Sequence, residues 1–280
     1  DYDVALDLQG NLKSGLVTRA SRARLRLGAA RGQGREAHHL FLSRRVGIPG
    51  GLTHRVERNL HLAGALVGRP LPYVPPGFPR SEATRARAAA LLGEAGLDPD
   101  GGHVLLHPGT SGFGRFKRWP AARMAALARR LVADGETVAL SGGPGEEDLV
   151  AAVARESGLA LPRLAPPDLG VLAEVQARAA LVVAPDTGPL HLAALVQTPV
   201  LGLFGPKDPA IYGPYGMRPD GRPGVLDVAV RDDVACRPCR RRRCASPLCM
   251  TTLAPDAVHA QARALLDRVR DPGRAAATHA

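Results

Sequence analysis

The sequence has little aromatic surface: phenylalanine, tryptophan and tyrosine make up 4% of 280 residues, with a single tryptophan. A stacking platform for single-stranded bases needs several rings on one face, so that class of nucleic-acid binder is not expected. Long apolar runs are lacking as well. No stretch of about 18 residues escapes charge or Pro/Gly interruption, and no basic-apolar-small leader pattern is present, so nothing argues for membrane spanning or secretion. Cytoplasmic residence is the default expectation. A Walker A loop and a G-x-G-x-x-G fingerprint are also missing, so ATPase and dehydrogenase readings lose support. The chain opens on Asp1-Tyr2-Asp3-Val4 without methionine, and a part preceding it is expected to be missing.

Cysteine is scarce but not scattered. All four fall within fourteen residues, as Cys236-x2-Cys239-x4-Cys244-x4-Cys249. Such clustering resembles a tetrathiolate metal site, and zinc suits a reducing compartment. The spacing is not the paired CxxC…CxxC form, however, and the run Arg240 to Arg243 would favour thiolate whether the outcome is metal, disulfide exchange or simple reactivity. A structural zinc site and a loop of reduced thiols or disulfides both stay open, and a metal here would staple a loop rather than do chemistry.

What is abundant is positive charge. Lys+Arg number 37 against 26 Asp+Glu, for a net charge of +11 and a pI near 10.5, and the excess is mostly arginine. Much of it sits in two clusters, Thr18 to Arg35 and Arg237 to Cys244. The plain reading is arginine-rich solvated faces; the sharper one is a surface for anionic substrates or a phosphorylated lipid. At this length, with 45% hydrophobic residues, one or two domains with a sizeable core are expected.

Along the chain, Tyr2 to Leu8 alternates and ends in QGNLKSG, which reads as strand, loop, helix. From Leu16 to Leu66 the pattern is mainly helical and basic, broken at Gly47 to Gly51. The proline-rich stretch Gly68 to Pro79 cannot continue a helix and reads as a linker, dividing a partial N-terminal domain, 1–78, from a C-terminal domain, 79–280. Beyond a helix at Ser81 to Ala95, strands and helices alternate. Strands are expected at 103–109, 137–143, near Leu161, at 180–186 and at 199–205. Helices are expected at 120–133, 146–157, 169–177 and 189–195, with a last one at 255–270. This alternation predicts an α/β fold with a doubly wound parallel sheet, whose ligands bind beyond the carboxyl ends of the strands.

The turns at those ends carry the chemistry. In HPGTSGFGRFKRWP, residues Gly109 to Gly112 offer backbone amides and the hydroxyls of Thr110 and Ser111 to an anion, and Lys117 adds a mobile positive charge. In PDTGPLH, Asp186 or Thr187 can cap the next helix while the amides around Thr187 and Gly188 point outward, and His191 can donate to a phosphate oxygen. A carboxylate beside phosphate is unfavourable unless it binds hydroxyls, so Asp186 reads as a sugar or ribose partner. The plainer alternatives are ordinary caps and turns, a solvated Lys117-Arg118 pair and a satisfied helical His191.

The ordered motifs DLQGNLKSG, HPGTSGFGRFKRWP, LSGGPGEE, PDTGPLHLAALVQTPVLGLFGP and CRPCRRRRCASPLCM resemble family 9 glycosyltransferases, the lipopolysaccharide heptosyltransferases. The resemblance covers nearly the whole chain. It implies a GT-B architecture of two Rossmann-like domains facing a cleft, here without the first strand and helix of the N-terminal domain. It also implies an inverting enzyme that moves heptose from ADP-heptose to the inner core of lipopolysaccharide. Carried onto this chain, Thr110, Ser111 and Lys117 would contact the diphosphate, with Lys117 neutralising the leaving ADP. Glu146, or equally Glu147, would hold the ribose, Asp186 the donor sugar, and Thr187, Gly188 and His191 would complete the phosphate side. Lys13 and Arg58 would face the acceptor. The general-base aspartate would precede this sequence, and Asp7 is not promoted to that role. No cofactor is required in such enzymes, and membrane contact would be peripheral, through basic residues meeting a phosphorylated glycolipid at the inner face of the cytoplasmic membrane. Alternatives are a GT-B transferase or epimerase for another nucleotide-sugar and a non-catalytic nucleotide-sugar binder; nucleic-acid binding by the arginine clusters is the third and weakest.

Overall fold

The computed structural model describes residues 2–216, 226–230, 233–239, 241 and 244–271. Arg240, Arg242 and Arg243 of the second arginine cluster and the tail after Asp271 lie outside the described residues. The chain divides into two compact units, Asp1–Val74 and Pro75–Ala280.

Unit 1 is a parallel sheet of β1 (Val4–Asp7), β2 (Leu25–Ala29) and β3 (Arg44–Val46) in that order, with helices α1 (Leu12–Ala20) and α2 (Arg55–Val67). Register places Leu6 opposite Leu27 and Leu27 opposite Arg44. α1 begins where it does because the Asn11 side chain accepts from the Ser14 amide while the Ser14 hydroxyl accepts from the Asn11 amide, a reciprocal cap. The helix lies close against the 3-10 turn His38–Phe41: a Cβ on Gly15 would stand 2.8 Å from Phe41 Cδ2 and 3.2 Å from the His38 carbonyl. The core is small, built from Leu27, Ala29, Ile48 and Leu62.

The expectation of a mainly helical segment from Leu16 to Leu66 is corrected here, since β2 and β3 fall inside it. Both strands are short and arginine-bearing, and what makes them strands is pairing with residues some twenty positions away rather than local pattern. Arg26 in β2 spends its charge on backbone, donating to Phe41 O at 2.9 Å and Ala23 O at 2.8 Å.

Unit 2 runs α3 (Glu82–Glu94), β4 (Val104–Leu106), α4 (Ala121–Ala133), β5 (Val138–Ser141), α5 (Glu147–Ser157) and β6 (Arg163–Leu164). It continues with α6 (Leu169–Ala177), β7 (Leu181–Pro185), α7 (Gly188–Leu195), β8 (Val200–Phe204), α8 (Pro209–Tyr212), β9 (Leu226–Val230), α9 (Leu248–Thr251) and α10 (Pro255–Arg270). Among the described residues the sheet is parallel, in the order β6-β5-β4-β7-β8-β9. The α/β class expected from the alternation is the one adopted. The short strand expected near Leu161 is found at Arg163–Leu164, and β9 is an addition the sequence reading did not contain.

Both faces of the sheet's centre are covered, which is why β4, β7 and β8 are apolar throughout rather than alternating. Val104 and Leu106 point to one face, with Trp119, Met124 and Leu127 before and within α4 and Val258 and Leu265 of α10. Leu105, one residue out of phase, packs on the other face with Leu92 of α3, Val175 of α6 and Leu190 of α7. Strand order reverses direction between β4 and β7, and the loops leaving these two neighbours diverge to opposite faces.

Candidate functional site

At that switch point a cavity of about 300 Å³ opens between two loops. The loop after β4 contributes Thr110, Ser111, Gly114 and Lys117, and the turn from β7 into α7 contributes Asp186, Thr187, Gly188 and His191. The first loop is pinned at its far end by Trp119, which is buried and donates its indole N–H to Leu253 O at 3.1 Å. Lys117 reaches across, with Nζ 2.7 Å from Asp186 Oδ2 and 3.3 Å from the Asp186 carbonyl oxygen. His191 Nε2 stands 3.8 Å from the other carboxylate oxygen. Burial by itself would raise the Asp186 pKa, but His191 and Lys117 together hold it below the usual carboxylate range.

Thr187 occupies the N-cap of α7, yet its side chain makes no cap hydrogen bond, and the expected cap by Asp186 is likewise replaced by the bond to Lys117. The first-turn amides and the positive end of the helix therefore face the cavity. An ammonium, two hydroxyls and a helix N-terminus around one space are the groups that can receive an anion, and the adjoining carboxylate is one that can accept from hydroxyls.

A second cavity, of about 450 Å³, lies beyond β5 and β6 and is lined by Gly142, Gly143, Pro144, Glu147 and Arg163, with Pro166 and Pro167 among its apolar walls. The two adjacent glutamates are used differently. Glu147 lines this cavity and is exposed, and its carboxyl is held low by backbone hydrogen bonds, including one from Gly145 at 3.1 Å. Glu146 turns inward: Oε2 accepts from the Gly143 amide at 2.9 Å and lies 3.6 Å from His107 Nε2, and Oε1 lies 3.9 Å from Arg118. Its carboxylate fills the space over Gly109, where a Cβ would come within 1.9 Å of Oε2. Sequence reasoning did not single out His107 or Arg118 as site residues; the only signal was that His107 opens the HPG turn and Arg118 follows Lys117.

In unit 1, Lys13 lies exposed in the first turn of α1 and Arg58 lies on α2, where it donates to Gln33 O at 2.7 Å. Asp7, at the carboxyl end of β1, is buried; its Oδ1 accepts from the amides of Gln9 and Gly10 at 3.1 and 2.9 Å, and Oδ2 is 3.3 Å from His38 Nδ1. Those contacts shape the loop into α1.

The four cysteines are free thiols, and among the described residues no group of three or more His, Cys, Asp or Glu side chains is arranged to hold a metal. Their loop is fastened to the turn after β8 through Cys239 N, which donates to Pro206 O at 2.7 Å. Cys249 is buried, and burial, with the neighbouring Cys236 and Cys244, pushes its thiol pKa up. Among the described residues no helix is long and apolar enough to cross a membrane.

The family described as glycosyltransferase family 9 (heptosyltransferase) matches residues 1–248. Lipopolysaccharide heptosyltransferase 1 of Pseudomonas aeruginosa is 32% identical, over 95% of this chain and 74% of its own length. The enzyme of the same name from Escherichia coli K12 is 31% identical over 77% of this chain, of whose length the match takes in 65%. Among solved structures, an E. coli heptosyltransferase with ADP superposes with a TM-score of 0.63 at 26% identity, over 95% of this chain and 73% of that one. A family 9 glycosyltransferase from Veillonella parvula shares the fold with a TM-score of 0.73 at 20% identity, over 95% and 74% of the two chains. The GT-B class is thereby the fold of this chain, which belongs to glycosyltransferase family 9, the heptosyltransferases.

Proposed function

We propose that the chain is an inverting glycosyltransferase that moves heptose from ADP-heptose to the inner core of lipopolysaccharide. The observation that carries the reading is the juxtaposition of Lys117 with Asp186 across the cavity, beside the uncapped start of α7. In the reaction, an acceptor hydroxyl oxygen bonds to the anomeric carbon while the bond from that carbon to the phosphate oxygen breaks. ADP departs with the electron pair, and the hydroxyl proton passes to a base. Lys117 and the α7 amides meet the charge that grows on the leaving phosphate, the step at which fixed positive groups contribute most. Thr110, Ser111 and His191 donate to the phosphate oxygens, and Asp186 accepts from hydroxyls of the donor sugar.

The ribose is assigned to the Glu146/Glu147 pair, with Glu147 the better placed because its carboxylate faces the second cavity while that of Glu146 is engaged within the loop. Lys13 and Arg58 are assigned to the acceptor, whose phosphates and carboxylates suit the basic unit 1. Asp7 is not assigned as the proton acceptor, since its two oxygens are already engaged by the amides of Gln9 and Gly10 and by His38. Work at the inner face of the cytoplasmic membrane, through peripheral contact with the glycolipid, follows from this acceptor.

Calorimetric titration with ADP-heptose, ADP and UDP at moderate salt tests the donor side. Micromolar binding with ADP preferred over UDP is expected, weakened about ten- to hundredfold by Lys117→Ala, which removes a charge-assisted contact. Equal affinity for UDP, or an unchanged affinity in Lys117→Ala and Asp186→Ala, rejects the assignment.

A further inference from the structure

Arg118 is the residue after Lys117, and its guanidinium is turned into the loop rather than into solvent. Its Nε donates to Thr110 Oγ1 at 3.1 Å and its Nη2 to the Thr110 carbonyl at 2.8 Å. Nη2 also lies 3.9 Å from Glu146 Oε1, so the carboxylate that fills the space over Gly109 braces the guanidinium from behind. Glu146 is itself held on its other oxygen by the Gly143 amide and faces His107 Nε2 at 3.6 Å. His107 is 3.1 Å from Ser141 Oγ through Nδ1, and burial pushes its pKa down to about 4, so the ring is neutral and carries one N–H. A carboxylate opposite Nε2 favours the proton on that nitrogen, which leaves Nδ1 to accept from the Ser141 hydroxyl. The hydrogen bonds at the two ends, Ser141 to His107 and Arg118 to Thr110, thus have a fixed sense of donation, and Glu146 sits between them as a charge partner at 3.6 and 3.9 Å.

The consequence falls on Thr110. A guanidinium N–H can only donate, so Thr110 Oγ1 is the acceptor in that bond and its own hydrogen is directed elsewhere. Thr110 lines the cavity with Ser111 and Lys117. We infer that Arg118, braced by Glu146, is a positioning residue that orients the Thr110 hydroxyl as a hydrogen-bond donor to the phosphate oxygens of a nucleoside diphosphate. The inference rests on the reading of this cavity as the donor-diphosphate site. A lysine could supply the charge at this position but not the two-pronged grip on one residue.

The test is a double-mutant cycle on the full chain, titrated with ADP by calorimetry, comparing the parent, Arg118→Met, Thr110→Val, the double variant and Arg118→Lys. Each single substitution is expected to weaken ADP binding about tenfold. The double variant should fall no more than about threefold below Thr110→Val, and Arg118→Lys should not restore the parent value, because Arg118 acts only through the hydroxyl. Losses that multiply to about a hundredfold, or full rescue by lysine, overturn the inference and make Arg118 an independent cation. Should Arg118→Met fail to fold, Arg118→Gln takes its place: it should weaken ADP binding in the parent and leave Thr110→Val nearly unchanged, and additive losses again overturn the inference. A folded parent chain that does not bind ADP rejects the donor-site reading itself, which separates that failure from this one.

Discussion

His103 stands just ahead of β4, buried, with neither ring nitrogen hydrogen-bonded among the described residues. Burial pushes its pKa down to about 4, as it does that of His107. In the unfolded chain a histidine titrates near 6.5. Above that pH both rings are neutral in both states and no dependence arises. Between about 6.5 and 4 the unfolded chain binds protons that the folded chain refuses, so stability falls as pH falls. From pH 7 to 5 the two residues together should cost about 4 kcal/mol of unfolding free energy, and His103→Leu should reduce that to about 2 kcal/mol. Urea unfolding at the two pH values measures it; an unchanged slope in the variant would show that His103 is not the neutral, buried ring described.

The same scale shows what the sequence could convey about the site. Lys117 and Asp186 could be singled out in the sequence as candidate phosphate and sugar partners because a lysine in a Gly-Ser-Thr loop and an Asp-Thr-Gly turn each carry their chemistry locally. Their 2.7 Å pairing joins positions 69 residues apart and exists only because β4 and β7 are neighbours in the sheet. Glu146 and Glu147 are indistinguishable in sequence; the start of α5 turns one inward and the other outward.

At the scale of elements, α10 is held to the rest of unit 2 by packing and by a buried carboxylate. Glu136, at the approach to β5, accepts from Arg263 at 2.8 Å and from Arg270 at 2.7 and 2.6 Å. The two guanidinium groups are partly exposed, at 31% and 51%, so on losing their partner they can return to water, which limits the loss. Glu136→Ala should destabilise the protein by about 1–3 kcal/mol, the range for breaking a hydrogen-bonded ion pair with one buried partner. Arg87→Ala, at an exposed pair with Asp168, serves as the comparison and should leave the urea midpoint unmoved. Equal effects would mean that burial of the Glu136 carboxylate is not what gives the contact its strength.

Most elements of unit 2 were readable because long helices carry apolar periodicity and doubly buried strands read as continuous apolar runs. In unit 1 the signal failed at β2 and β3, where LRLGA and RRV are short, charged and defined by partners distant in sequence. Helix starts fared better, since Asn11 with Ser14 and Ser81 with Thr84 write their reciprocal caps into four consecutive residues.

At the scale of the whole molecule, the two units differ in how much core each encloses. Unit 1 has one small cluster around Leu27 and Leu62, whereas unit 2 has extensive clusters on both faces of its sheet and contains every residue assigned to the donor. Two unfolding transitions are expected, the first belonging to unit 1. ADP at about a hundred times its dissociation constant should raise the second by the equivalent of about 2.7 kcal/mol and leave the first in place. Calorimetry with and without ADP decides this, and a single transition that moves as a whole would show the units to be thermodynamically coupled.

The sequence alone determined the α/β class, the resemblance to family 9 and the loops proposed to meet the donor, because these depend on short-range pattern, turn residues and motif order. Tertiary structure alone decided that the β4 and β7 loops share one cavity, which glutamate faces outward, and that Arg118 grips Thr110. Those outcomes follow from strand order and close packing, which bring together side chains whose proximity no local pattern encodes.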